Sequence, residues 1–227
     1  MSHSDDPSPF NSMPAPVWGL FLMIAGVEAL FSLGEAGLIG GPGAVGWRLA
    51  AINDYGFSGQ AFDFMVQNGL LLPEQVLRFV TYPFVHGSFT SMLFAGVLLL
   101  AMGKMTGEIM GGWAVVLIFV LSGIFGALIF GLFTSQAWMF GAYPSVYGLI
   151  GAYTFLTWQR LAAIGGPQGQ AFMLIGFLMG IQLVFGIFFD VGYTWVAELA
   201  GFVAGFALSA FVMPGGMARV LSALRRR

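Results

Sequence analysis

The sequence predicts an all-α membrane protein, a six-transmembrane-helix bundle with an extended loop after the first helix. Three observations predict it. Of the 227 residues 58% are hydrophobic and only 8% charged, with mean hydropathy +0.88. A soluble domain carries about three times that share of charge, so lipid is the solvent for most of this chain. Six apolar runs of about twenty residues recur, at 16–38, 84–103, 112–134, 144–162, 170–189 and 193–213, each the length that crosses a bilayer. Nothing alternates with the period of a barrel strand, so each run must satisfy its backbone amides internally, as a helix.

Taken in order, residues 1–15 are polar, acidic and proline-rich, without the basic start or small-residue cleavage site of a secretory signal,. They are expected to form a disordered cytoplasmic tail. The membrane domain is expected over 16–217. Residues 39–83 are too long for a simple turn, and Phe62, Met65, Val66 and Leu70 recur there at helical spacing with Asp63, Gln67 and Asn68 between them. That stripe predicts short helices lying in the outer interface; an ordinary packed loop differs little from it. Later connections are short, apart from the Gly/Pro/Gln stretch at 165–170. No repeat of 20–50 residues is present. Residues 218–227 read as a basic cytoplasmic tail.

The basic residues set the orientation. Lys104 follows the second run, Arg160 ends the fourth, and Arg219, Arg225, Arg226 and Arg227 follow the sixth, whereas the loops after the third and fifth runs have none. Arg48 and Arg78 lie in the long segment after the first run, a weaker topogenic signal at that length. Both termini are therefore expected in the cytoplasm, with Arg225–Arg227 anchoring at an anionic leaflet.

Polar residues within the runs are the functional candidates by default. Glu28 and Glu35, seven apart, share one face of the first run. They could line a proton or ion path, or Glu35 could reach the outer interface while Glu28 pairs with a neighbouring helix. The second reading is favoured, because the sequence offers no evident partner base or broken helix. Gln182 reads as an interhelical hydrogen-bond partner. Trp18, Trp47, Trp113, Trp138, Trp158 and Trp195 mostly flank runs, as interface anchors do. The absence of cysteine excludes disulfides and thiolate chemistry. With His3 and His86 the only histidines, no metal constellation is expected, and there is no nucleotide fingerprint, no nucleic-acid patch and no cofactor motif.

One segment carries more than hydrophobicity. Gly141 to Gly151 reads GAYPSVYGLIG, a small-residue turn opening an apolar run. Upstream lie Leu77-Arg78 and, eight residues after Arg78, His86. Downstream come Phe189-Asp190, then Ala197-Glu198-Leu199-Ala200-Gly201 with Gly205 one turn further. GxxxG alone is a weak signal, but this ordered set over residues 47–213 resembles the rhomboid intramembrane proteases. Arg78, His86, Gly141, Tyr147, Gly151, Ala197, Gly201 and Gly205 fall on the family's structural motif positions. One departure is local: Glu108 comes about one residue late after Gly103 for the family's acid.

The resemblance implies a catalytic serine four residues before Tyr147 and a general-base histidine after Ala197. Those positions hold Tyr143 and Glu198. The second histidine and the asparagine expected after His86, at the oxyanion positions, are Ser91 and Ala95. A hydroxyl nucleophile needs a base of near-neutral pKa, and an oxyanion needs donors placed in advance; losing nucleophile or base alone removes most of the rate. No serine-protease turnover is expected. The fallback nucleophile is Ser145, or Ser91, acting with His86. Ser145, two residues on, faces about 200° away from the nucleophile position on a helix. Small residues at Gly148, Gly151, Ala197, Gly201 and Gly205 should let two helix backbones approach closely. That approach would bring Tyr143 and Glu198 together, with a hydrogen bond between them as a structural lock; otherwise Tyr143 points into the outer loop and Glu198 meets water.

By resemblance, the chain is expected to be an integral protein of the bacterial inner membrane, catalytically inactive, holding transmembrane client proteins between the second and fifth spans. The alternatives are an active rhomboid-type serine endopeptidase with a displaced nucleophile and a small proton-coupled transporter using Glu28 and Glu35.

Overall fold

The computed structural model describes residues 13–135, 138–189 and 192–213. Readings that fall on residues 1–12, on Asp190 and on the basic tail with Arg219 and Arg225–Arg227 lie outside the described residues.

Six long helices form the bundle: α1 (Ala15–Glu35), α5 (Phe89–Met110), α6 (Gly112–Phe133), α7 (Tyr143–Ala163), α8 (Met173–Phe188) and α9 (Thr194–Val212). Three short helices, α2 (Trp47–Tyr55), α3 (Gly59–Asn68) and α4 (Pro73–Thr81), fill the long connection after α1, in place of an irregular loop. Ser58 starts α3 by accepting from the Ala61 amide at 3.3 Å, and Gly69 ends it in the left-handed region,. A short antiparallel pairing, Phe57 with Met139 and Ser58 with Trp138, ties this connection to the α6–α7 turn.

Five segments are long and apolar enough to cross a membrane: α1, α5, α6, Gln168–Phe188 and α9. Among the described residues α7 matches them in length but is less apolar, because its surroundings are other helices. From Pro144 to Ala152 every residue is buried. By contrast, Leu183, Ile187 and Phe188 of α8 and Leu132 of α6 stand exposed, as side chains facing acyl chains do.

Glycine decides how closely the central helices pack. A side chain at Gly205 would run into the backbone of Gly148, one at Gly201 into the carbonyl of Pro144, and one at Gly151 into the backbone of Phe202 and Phe206. The close α7–α9 approach expected from the small residues is therefore present, and on α6 Gly126 and Gly123 extend it towards Ala197 and Ser145,.

The largest boundary difference is at α5, expected over 84–103 and found at Phe89–Met110. Ser88 caps its start, accepting from the Ser91 amide at 3.2 Å, so His86 sits in the turn before the helix. The helix continues past Gly103 and Gly107 because these glycines are where α1 packs, against Val17 and Pro14. At the other end α1 stops at Glu35, short of the expected 38, with Gly37 turning the chain at φ +71°.

Candidate functional site

The site is built on the start of α7. Gly141 adopts φ +94°, a conformation open to glycine,, and its amide donates to the Tyr82 carbonyl at 3.0 Å. Tyr82 is itself fixed, its hydroxyl donating to the Gly123 carbonyl of α6 at 2.8 Å. The next amide, of Ala142, donates to His86 Nε2 at 3.2 Å. The turn that presents position 143 is thus held from two sides before α7 begins.

At that position the Tyr143 phenol reaches across to α5 and donates to the Ser91 carbonyl at 3.2 Å. The expected hydrogen bond to Glu198 is not what this hydroxyl makes: a phenol has one proton, and the Ser91 backbone oxygen takes it. Ser91 contributes a carbonyl here and Ala95 is buried without a polar side chain.

Glu198, only 6% exposed, finds its donor in Gln182 of α8, whose Nε2 donates to Glu198 Oε2. The same nitrogen donates to the Tyr147 hydroxyl at 3.2 Å. Gln182 is therefore the interhelical partner its place in an apolar run implied, joining α8 to both α7 and α9. Tyr147, four residues after Tyr143, lies on the same face of α7. The two positions expected to touch are neighbours in one polar cluster, each satisfied by another element.

His86 is 1% exposed and anchors the loop. Because Nε2 accepts from Ala142, the ring proton resides on Nδ1. Burial pushes the imidazole down to about 4, with the Glu28 carboxylate opposing and the Arg48 cation adding to the effect, so the ring is neutral near pH 7. Its lone pair is occupied by a backbone amide and is not free to act as a base for Ser145. The Ser145 hydroxyl is buried and turned towards α6, where a side chain at Gly123 would collide with it. The structure does not assemble these two residues into a nucleophile–base pair.

Beside His86 lies the largest departure from what the sequence offered. Arg48 of α2 binds Glu28 with two nitrogens, Nη1 to Oε2 and Nη2 to Oε1, both at 2.7 Å. It also holds Glu35 through Nε at 2.7 Å and donates to the His86 carbonyl at 2.9 Å. Ser32 donates to Glu28 at 3.0 Å. Glu28 does have a partner base, supplied by the long connection and not by a neighbouring spanning helix. These hydrogen bonds, to Glu28 first and then Glu35, raise the already high pKa of the guanidinium further. Arg78 is placed otherwise, donating to the Gly56 carbonyl at 3.3 Å with its guanidinium 5.3 Å from the Trp138 ring centre,.

Beyond Glu198 a groove of about 560 Å³ runs between α8 and α9, lined by Gln182 and by apolar residues that include Met179, Leu183, Ile187, Trp195 and Leu199. Of α8 itself only Ile175, near its start, is buried. Among the described residues no three His, Asp or Glu side chains lie close enough to hold a metal ion.

Residues 73–215 match the family model described as Rhomboid domain. The chain is also similar to Rhomboid-type serine protease 2 of Emericella nidulans, 27% identical over 156 residues, which are 68% of this chain and 29% of that relative. The chain thus spans less than a third of the length of this curated relative.

Proposed function

The chain belongs to the rhomboid family, and from that premise we propose that it is a catalytically inactive member that binds transmembrane helices of other membrane proteins. The observation that carries this reading is the fate of the hydrolytic positions. Tyr143 fills the nucleophile position and spends its proton on a backbone carbonyl, while Glu198 takes the place of the base and is bonded to Gln182. Neither group reproduces a serine hydroxyl activated by an imidazole, and His86, the imidazole among the described residues, is engaged by Ala142. The transporter reading loses support for a separate reason, since Glu28 and Glu35 are bound to Arg48 and so are not free carboxylates in a path.

Binding is what remains to a rhomboid framework without its couple. The limited burial of α8 leaves its flanks open to another helix. We place the protein in a bacterial inner membrane with both termini cytoplasmic.

The test uses the full-length chain in vesicles with a fluorogenic transmembrane substrate and a fluorophosphonate probe. Neither cleavage nor labelling above a heat-denatured control is expected, while photo-crosslinkers placed on α5 and α8 capture helices of other membrane proteins. Labelling at Ser145 or Ser91 would overturn the proposal in favour of a displaced nucleophile. Proton flux abolished by Glu28→Gln would overturn it in favour of transport.

A further inference from the structure

We propose that Arg78 holds the phosphodiester of a membrane phospholipid whose acyl chains lie along the exposed apolar surface of α4. The inference goes beyond client binding and does not depend on it. What points to it is a cation that is fixed in place and left without a counter-charge. Arg78 Nη1 donates to the Gly56 carbonyl at 3.3 Å, and the Trp138 ring centre lies 5.3 Å from the guanidinium carbon. Nε is enclosed and without a partner. The remaining nitrogen, Nη2, is open and has no hydrogen-bond partner among the described residues. No carboxylate reaches it either. Both ion pairs among the described residues belong to Arg48, and Glu74, one helical turn before Arg78, stands exposed without pairing. A guanidinium keeps its charge at any ordinary pH. That charge is therefore met from outside the chain, and a phosphate presents the oxygens that suit its planar array of donors.

Depth selects a phospholipid as the source of that phosphate. In its last turn α6 exposes Leu132 and Phe133, and the half-exposed Trp138 follows five residues after the helix ends, at the level where tryptophan rings sit among headgroups. Arg78 shares that level through its contact with Trp138. Beside it Val76, Leu77 and Val80 of α4 are exposed, as are Leu71 and Leu72 in the turn that precedes the helix. Apolar surface of that extent next to a charge is the mark of a helix lying in a membrane interface. A phospholipid satisfies both halves of the surface at once, its phosphate on the guanidinium and its chains on the leucines and valines. A soluble anion would meet the cation and leave the apolar half uncovered.

The test titrates the full-length chain, in a neutral detergent, with a phosphatidylglycerol that carries a photoreactive group beside its phosphate. Labelled positions are mapped by peptide mass spectrometry. Saturable labelling is expected around Leu77 and Trp138. Unlabelled phosphatidylglycerol should displace it, a diacylglycerol with the same chains should need about fivefold more lipid to do so, and inorganic phosphate should not compete. Arg78→Gln, which removes the charge and keeps an amide donor, is expected to weaken labelling there about fivefold and to erase the preference over diacylglycerol. Arg78→Lys, a charge without the fork, should fall between. Labelling that does not saturate near Arg78, or that diacylglycerol displaces as well as phospholipid does, overturns the inference. So does unchanged labelling of a folded Arg78→Gln variant. Competition by inorganic phosphate also overturns it, assigning the cation to a soluble anion. Should Arg78→Gln fail to fold, the displacement series on the unsubstituted protein decides alone.

Discussion

Arg48 grips Glu28 across twenty residues of sequence with two parallel hydrogen bonds of 2.7 Å, fastening the interfacial connection to the first transmembrane helix. A bidentate guanidinium–carboxylate pair is the strong form of this interaction, and Glu28 is 1% exposed. Replacing Arg48 by Leu strands a buried carboxylate, which is expected to cost about 3–5 kcal/mol. Arg48→Lys keeps the charge without the fork and should fall between. Glu35, with its side chain 43% exposed, should matter less than Glu28. Thermal unfolding in detergent of the four variants, with Glu28→Gln and Glu35→Gln included, checks the order.

Gly205→Ala is expected to destabilise by about 1–3 kcal/mol or more, because the new methyl collides with the Gly148 backbone, which cannot turn aside as a side chain can,. Gly176→Ala on α8 meets nothing within 4 Å and should be neutral or slightly stabilising. Denaturation midpoints of the two variants compare them directly; equal effects would contradict the close α7–α9 approach.

His86 makes stability depend on pH. Its folded-state value of about 4 lies below the ordinary 6.5 because burial disfavours the charged ring. The unfolded chain therefore binds the proton more readily. The contribution is fully present above about pH 6.5 and is lost as pH falls through 4. The unfolding midpoint should decline over that window, and His86→Gln should flatten the decline.

Tyr143→Phe and Glu198→Gln are expected to act additively to within about 0.5 kcal/mol, because each side chain is satisfied by a different partner,. Glu198→Gln and Gln182→Met, which share a hydrogen bond, should not be additive. A double-mutant cycle of unfolding free energies for each pair decides it. Strong coupling between Tyr143 and Glu198 would show the lock to be direct after all.

What could be read from the sequence follows a physical rule: features fixed by residue type at short range were legible, and pairings across the chain were not. Gly148, Gly151, Gly201 and Gly205 announced close helix contact because nothing larger than hydrogen fits between two touching backbones. Gln182 announced an interhelical bond because an amide in lipid needs one. The partner of Glu28 was hidden, since nothing local links position 28 to position 48 and Arg48 read as a loop cation. The start of α5 lies five residues beyond the start of the apolar run that Phe84 and Val85 open, because His86, Gly87 and Ser88 form a turn and Ser88 is the cap. The destination of the Tyr143 proton was equally hidden, as a backbone carbonyl leaves no mark in sequence.

Gly111, at φ +92°, is the sole residue between α5 and α6. Two 22-residue helices joined so tightly leave no tether with which one could be threaded while the other waits. Their facing ends are therefore held at one depth of the bilayer.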